Sequence, residues 1–172
     1  KYIGYKRYLY NKAIVVQKEL WLRYKEEKEK YEDFDLLDDK EKKIFYSKYY
    51  PHMSLVRDNM VRTKEEWEYN YASKLIESVA TDVVKAIKNA LNPKMPNHKM
   101  PKFKKKKNQK MSFAFEGIKI SKNNELLIPK SKKSTLTGIT PSNPIIFSKI
   151  RMGEKLRFSG KITGATVNCN KN

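Results

Sequence analysis

Three prolines fall within nine residues in the stretch "NPKMPNHKMPKF", at Pro93, Pro96 and Pro101. No helix runs through that spacing, because each ring removes a backbone donor and clashes with the preceding turn. The stretch therefore divides the 172-residue chain into two parts, 1–92 and 93–172. Apolar residues recur at helical spacing before it and at strand spacing after it.

In the first part, Tyr5, Leu9, Ala13, Val16, Leu20 and Tyr24 fall three or four residues apart, a stripe along one face of a helix. The charged run "KEEKEKYED" carries that helix into solvent, and "DDKEKKIFYSKYY" suggests a short second helix closed by Pro51. Thr63 and Glu66 in "TKEE" have the spacing of a capping box. From there Trp67, Tyr71, Leu75, Val79, Val83, Ile87 and Leu91 recur every four residues. The expectation is one uninterrupted helix over 63–91, packed lengthwise and antiparallel on the first.

After Pro101 come the short alternating runs "MSFAF", "IKIS", "ELLIP", "IIFSKI", "KLRFSGKI" and "TGATVN". Lys122, Asn123 and Asn124 read as a hairpin turn, and "SKKSTLTGITPSNP" as a polar loop. Runs of this kind suggest a small, mostly antiparallel β-barrel of the OB-like type, or a partly closed sheet. The fold class expected is thus α+β: a lobe of two long antiparallel helices with shorter ones, then a barrel.

Charge follows the same division. Residues 1–92 hold 19 basic and 16 acidic residues, whereas residues 93–172 hold 19 basic and 3 acidic. The net charge of +19 thus resides almost wholly in the second part, which points to a polyanionic partner, above all nucleic acid. No apolar run approaches 18 residues and no signal peptide is visible, so no membrane partner is expected. Cys169 is the sole cysteine, which excludes a disulfide framework and a cysteine zinc site. His52 and His98 are far apart without ligand spacing, and a reducing, intracellular setting is the default.

Catalytic patterns are missing: there is no Gly-rich phosphate loop, nucleophile elbow or His-x-x-x-His pair. The acidic residues alternate with lysines in helical segments, unlike carboxylates placed for two-metal chemistry. No catalytic residue, cofactor or metal is therefore assigned. The run Lys102, Lys104, Lys105, Lys106, Lys107 and Lys110 is the strongest candidate site, a groove that tracks a phosphate backbone. A solvated basic linker is the plainer reading of the same residues. Phe103 and Phe113 flank the run and either stack on bases or anchor it to the sheet; a sheet's need for core residues favours anchoring. At the start of the chain, "YKRYLYNKA" sets Arg7 and Asn11 four apart, with Lys6 and Tyr10 as a second pair; on periodicity alone a solvated helix face is the plainer reading.

Several of these stretches resemble the TnpB proteins of bacterial transposons. "RYLYNKA" before an amphipathic helix resembles their opening, and "VVKAIKNAL" the end of their long helix, with Ala90-Leu91 in place of the usual Phe pair. "PKFKKKKNQKMSF", "GIKISKNNELLIPK" and "SGKITGATV" resemble three further motifs, in the family's order, from residue 7 to residue 167. TnpB proteins and the related type V CRISPR effectors are RNA-guided DNA endonucleases. The resemblance implies a helical recognition lobe at 1–92 and a basic linker with a β-barrel wedge domain at 93–172. The partners it implies are a structured guide RNA and double-stranded target DNA carrying a short flanking motif, in the bacterial cytoplasm and nucleoid. It places Ser73, Lys74 and Glu77 near the DNA groove, with Lys74 as donor to a guanine edge or a phosphate. Lys6, Arg7, Asn11, Ser112 and the lysine run complete the candidate nucleic-acid contacts.

The chain begins without Met and stops at "GATVNCNKN" within a strand pattern, as a piece of a longer protein or a truncated relative would. The RuvC-type nuclease of the family, with its three carboxylates and Mg²⁺, has no counterpart in these residues, so no DNA cleavage by this chain alone is expected. Two other readings stay open: a nuclease-less DNA-binding regulator or accessory protein, and a generic basic RNA-binding module. A homodimer is also left open.

Overall fold

The computed structural model describes residues 2–106, 111–116, 119–129, 147–151 and 164–169. Four α-helices occupy the first half: α1 (Tyr2–Glu29), α2 (Asp39–Tyr49), α3 (Met53–Arg62) and α4 (Lys74–Ala90). Short 3-10 turns lie at Phe34–Leu36 and Glu66–Asn70. Among the described residues, the strands that follow are β1 (Met111–Glu116), β2 (Lys119–Ile120), β3 (Glu125–Pro129), β4 (Phe147–Arg151) and β5 (Gly164–Cys169).

The expected α+β fold with a β-barrel is corrected by this structure, which is predominantly helical. The described strands have two to six residues and make two separate antiparallel ladders, β1 with β5 and β2–β3–β4. Among the described residues no ladder joins the two, and a barrel exists only when the sheet closes on itself. Alternating runs of this length fit an isolated ladder as well as a barrel, so the pattern itself could not separate them.

The chain divides into two compact units, one of residues 1–6, 64–78 and 106–172, the other of 7–63 and 79–105. The second unit has a helical core. Leu9, Ala13, Ile14, Val16 and Leu20 of α1 are buried, as are Phe45, Val56 and Met60 of α2 and α3, and Val79, Ala80, Val83 and Ile87 of α4. Each fully buried aliphatic side chain contributes about 1.5–3 kcal/mol. Asp38 opens α2 with a capping box: its carboxylate accepts from the Glu41 N–H at 2.6 Å, and the Glu41 side chain accepts from the Asp38 N–H at 3.2 Å. His52 opens α3. Its Nδ1 accepts from the Leu55 N–H at 3.3 Å, which leaves Nε2 to donate to the Ser47 carbonyl at 3.1 Å. Both histidine nitrogens are thus occupied by backbone.

The single helix expected over 63–91 is broken. Thr63, read as a helix start, instead ends α3: its N–H and its hydroxyl both donate to the Asn59 carbonyl, at 3.0 and 2.9 Å. Both bonds reach back four residues, and the Thr63 backbone, at φ −94° and ψ 24°, leaves the helical region at that point. Lys12 adds to the stop by donating to the Thr63 carbonyl at 2.7 Å, a cation at a helix C-terminus.

In the first unit, the return bond comes two residues later than the sequence suggests, from the Glu65 N–H to Glu68 Oε1 at 3.1 Å. Tyr5 stacks on Tyr71 with centroids 4.2 Å apart, meets Trp67 edge-on at 5.8 Å, and donates its hydroxyl to Glu68 Oε2 at 3.1 Å. Glu68 is 0% exposed, so its carboxyl sits among partners rather than in water. The apolar spacing of the expected helix survives through this break, but Trp67 is exposed, as is Leu91 at the far end.

The hairpin between β2 and β3 turns at Lys122–Asn124. Asn124 has φ +57°, a left-handed conformation that Asn tolerates better than most residues. The Ser121 N–H donates to the Glu125 carbonyl at 2.9 Å and closes the turn.

Candidate nucleic-acid interface

The lysine run leaves the proline-rich stretch without entering helix or strand over residues 101–105. In the second unit it lies against α1. The Asn11 amide holds the main chain of Lys104 from both sides: Nδ2 donates to the Lys104 carbonyl at 3.1 Å, and the Lys104 N–H donates to Oδ1 at 2.8 Å. A carboxamide has one donor and one acceptor edge, as a peptide group has, so this pair substitutes for one rung of a β-ladder. The Lys104 ammonium lies 3.8 Å from the centroid of the Tyr10 ring, within cation–π range. Burial raises the Tyr10 pKa, and the Asp82 carboxylate adds to the rise, so the phenol remains neutral at ordinary pH. Lys18 reaches within 5.7 Å of the Phe103 ring centroid.

These contacts order the start of the run. Lys104 is half-buried and fixed, while Lys102, Lys105 and Lys106 are exposed. Lys107 and Lys110 lie outside the described residues. Ser112 is in β1, where its backbone faces Asn168 of β5. Phe103 is 52% exposed, so the expectation that it anchors the run in a core is corrected. Anchoring comes from Asn11 and Tyr10 instead. The side chain of Phe113 is outside the described part.

The other candidates divide. Lys6 is only 9% exposed and does not present an ammonium to a large ligand. Arg7 is half-buried on α1. Asn11 is committed to Lys104, which makes it a positioning residue. In the first unit, Ser73, Lys74 and Glu77 gather at the start of α4. Lys74 Nζ pairs with Glu77 Oε2 at 2.9 Å, and Lys64 Nζ stands 3.5 Å from Ser73 Oγ. Both partners of the Lys74–Glu77 pair are substantially exposed, and such a pair is worth about 0–1 kcal/mol, weak enough to exchange for a phosphate.

Lys18 was not singled out from the sequence. Its position two helical turns after Asn11 was the available signal, since seven residues return to the same face. Among the described residues, no three His, Cys, Asp or Glu side chains converge on a metal position, and no helix is long and apolar enough to cross a membrane. In comparisons with protein-family models, curated proteins and solved structures, the chain matches none.

Proposed function

We propose that this chain is a nucleic-acid-binding region that holds a structured guide RNA and meets the flanking motif of a target DNA, as part of a TnpB-like RNA-guided DNA endonuclease. The observation that carries the reading is the Asn11–Lys104 pair. It joins "RYLYNKA" to "PKFKKKK", the two stretches whose resemblance to the family is closest to a binding role. An ordered lysine run can track a backbone in fixed register, which a freely moving tail cannot. Each phosphate it neutralises releases condensed counterions, and this release drives binding. Sequence discrimination then falls to guide pairing, while the protein reads RNA shape and a few flanking base pairs. Lys74, balanced against Glu77 on an exposed helix start, is the residue assigned to those base pairs.

The two separate ladders found among the described residues, in place of a closed barrel, favour a second reading, a generic basic RNA-binding module with no dedicated guide. Selection from a pool of randomised structured RNAs separates the two. A guide-binding region enriches RNAs sharing one secondary structure. A generic basic module retains the pool without convergence, and that outcome refutes the proposal.

A further inference from the structure

We infer that Phe103 is a stacking platform for an unpaired nucleobase, so that the α1-docked run prefers single-stranded RNA segments to duplex. The inference rests on the nucleic-acid-binding reading and adds the form of nucleic acid held at this site.

Phe103 is 52% exposed although it adjoins a residue held at three points. Lys104 is fixed through its N–H, its carbonyl and its ammonium, by Asn11 and Tyr10. The backbone beside Phe103 is thus already ordered, and stacking there costs little additional chain entropy. Within that fixed segment, about half of the phenyl ring stays open to solvent, with the Lys18 ammonium near it. The ring presents a face to a planar partner. The surroundings select the kind of partner: Lys102 and Lys105 are exposed on either side in sequence, and the Lys18 ammonium is 5.7 Å from the ring. Cations around an aromatic face suit a base with its phosphates, whereas they repel a cationic peptide and offer no apolar groove. Every base has a π-face, so such a platform is tolerant of sequence. A base in a duplex is already stacked and would have to leave its neighbours first.

The test uses the full 172-residue chain with Phe103→Ala, Phe103→Leu and Phe103→Trp. Binding is measured at one salt concentration to a short single-stranded RNA carrying 2-aminopurine and to a blunt RNA duplex of the same sequence. Loss of the ring should weaken single-strand binding by about 5- to 150-fold in both the Ala and Leu variants, the range for one stacked base. Duplex affinity should be unchanged, the Trp variant should keep wild-type affinity, and only ring-bearing proteins should quench 2-aminopurine. Wild-type affinity in Phe103→Leu, or equal losses on single strand and duplex, overturns the stacking inference while leaving nucleic-acid binding standing. Failure of the wild-type chain to bind either RNA overturns both.

Discussion

Replacing Asn11 by Ala removes both hydrogen bonds to Lys104 while leaving α1 free to form. Two partly buried bonds contribute about 0.5–1.5 kcal/mol each, so docking of residues 101–105 should weaken by about 1–3 kcal/mol. Global stability should fall by less, because Ala is the better helix former by up to about 0.7 kcal/mol. The effect is therefore local, and a melting curve is the wrong assay. Hydrogen exchange at the Lys104 amide is the right one: that N–H is held by the Asn11 side chain at 2.8 Å. Its protection should drop by about 5- to 150-fold, with the α1 amides unaffected. Asn11→Asp should lie between wild type and Ala, since a carboxylate accepts from the Lys104 N–H but cannot donate to its carbonyl. Unchanged protection at Lys104 in Asn11→Ala would refute the argument that this amide orders the run.

Tyr5→Phe removes one donor from the buried Glu68 carboxyl and should destabilise the chain by about 1–2 kcal/mol, read as a lower denaturant midpoint. Lys12→Ala removes the cation that donates to the Thr63 carbonyl and should cost about 0.3–1 kcal/mol at low ionic strength, a loss that added salt abolishes in the wild type. Tyr24 has its pKa pushed up to about 12, first by burial and then by Tyr46 and Tyr50. Its folded form therefore holds the proton more tightly than the unfolded chain, near 10. That stabilisation is complete below about pH 10 and is lost as pH rises through about 12. Tyr24→Phe should flatten the alkaline unfolding curve in that window, and phenolate absorbance should show one tyrosine fewer titrating late.

Much of the helical core was legible. Leu9, Ala13, Val16 and Leu20, and later Leu75, Val79, Val83 and Ile87, repeat at helical spacing and are all buried. The break between α3 and α4 was not legible, because Trp67 and Tyr71 keep the same spacing through it. The turn at 66–70 is tied instead to Tyr5, 63 residues from Glu68 and invisible to a local pattern. Glu68 was hidden for a related reason: a carboxyl in a lysine- and glutamate-rich stretch reads as solvated until a distant hydroxyl is seen to reach it. The strand pairing is not legible, because alternation fixes which residues share a strand face and says nothing of which strands pair. At the candidate site, Asn11 and the lysines stood out by type and spacing. Their roles did not, since Asn11 meets Lys104 across 93 residues of chain.

The central proposal is that the lysine run, held through Lys104, binds a nucleic-acid backbone through the exposed Lys102, Lys105 and Lys106. Salt titration of RNA binding tests it most directly, comparing the wild type with the Lys102→Ala, Lys105→Ala, Lys106→Ala triple variant on a structured RNA. The account predicts a large loss of affinity at low salt and a log–log salt slope shallower by about 1.4–2.1, corresponding to two or three single-strand phosphate contacts at about 0.7 each. A triple variant with the affinity and slope of the wild type would contradict it.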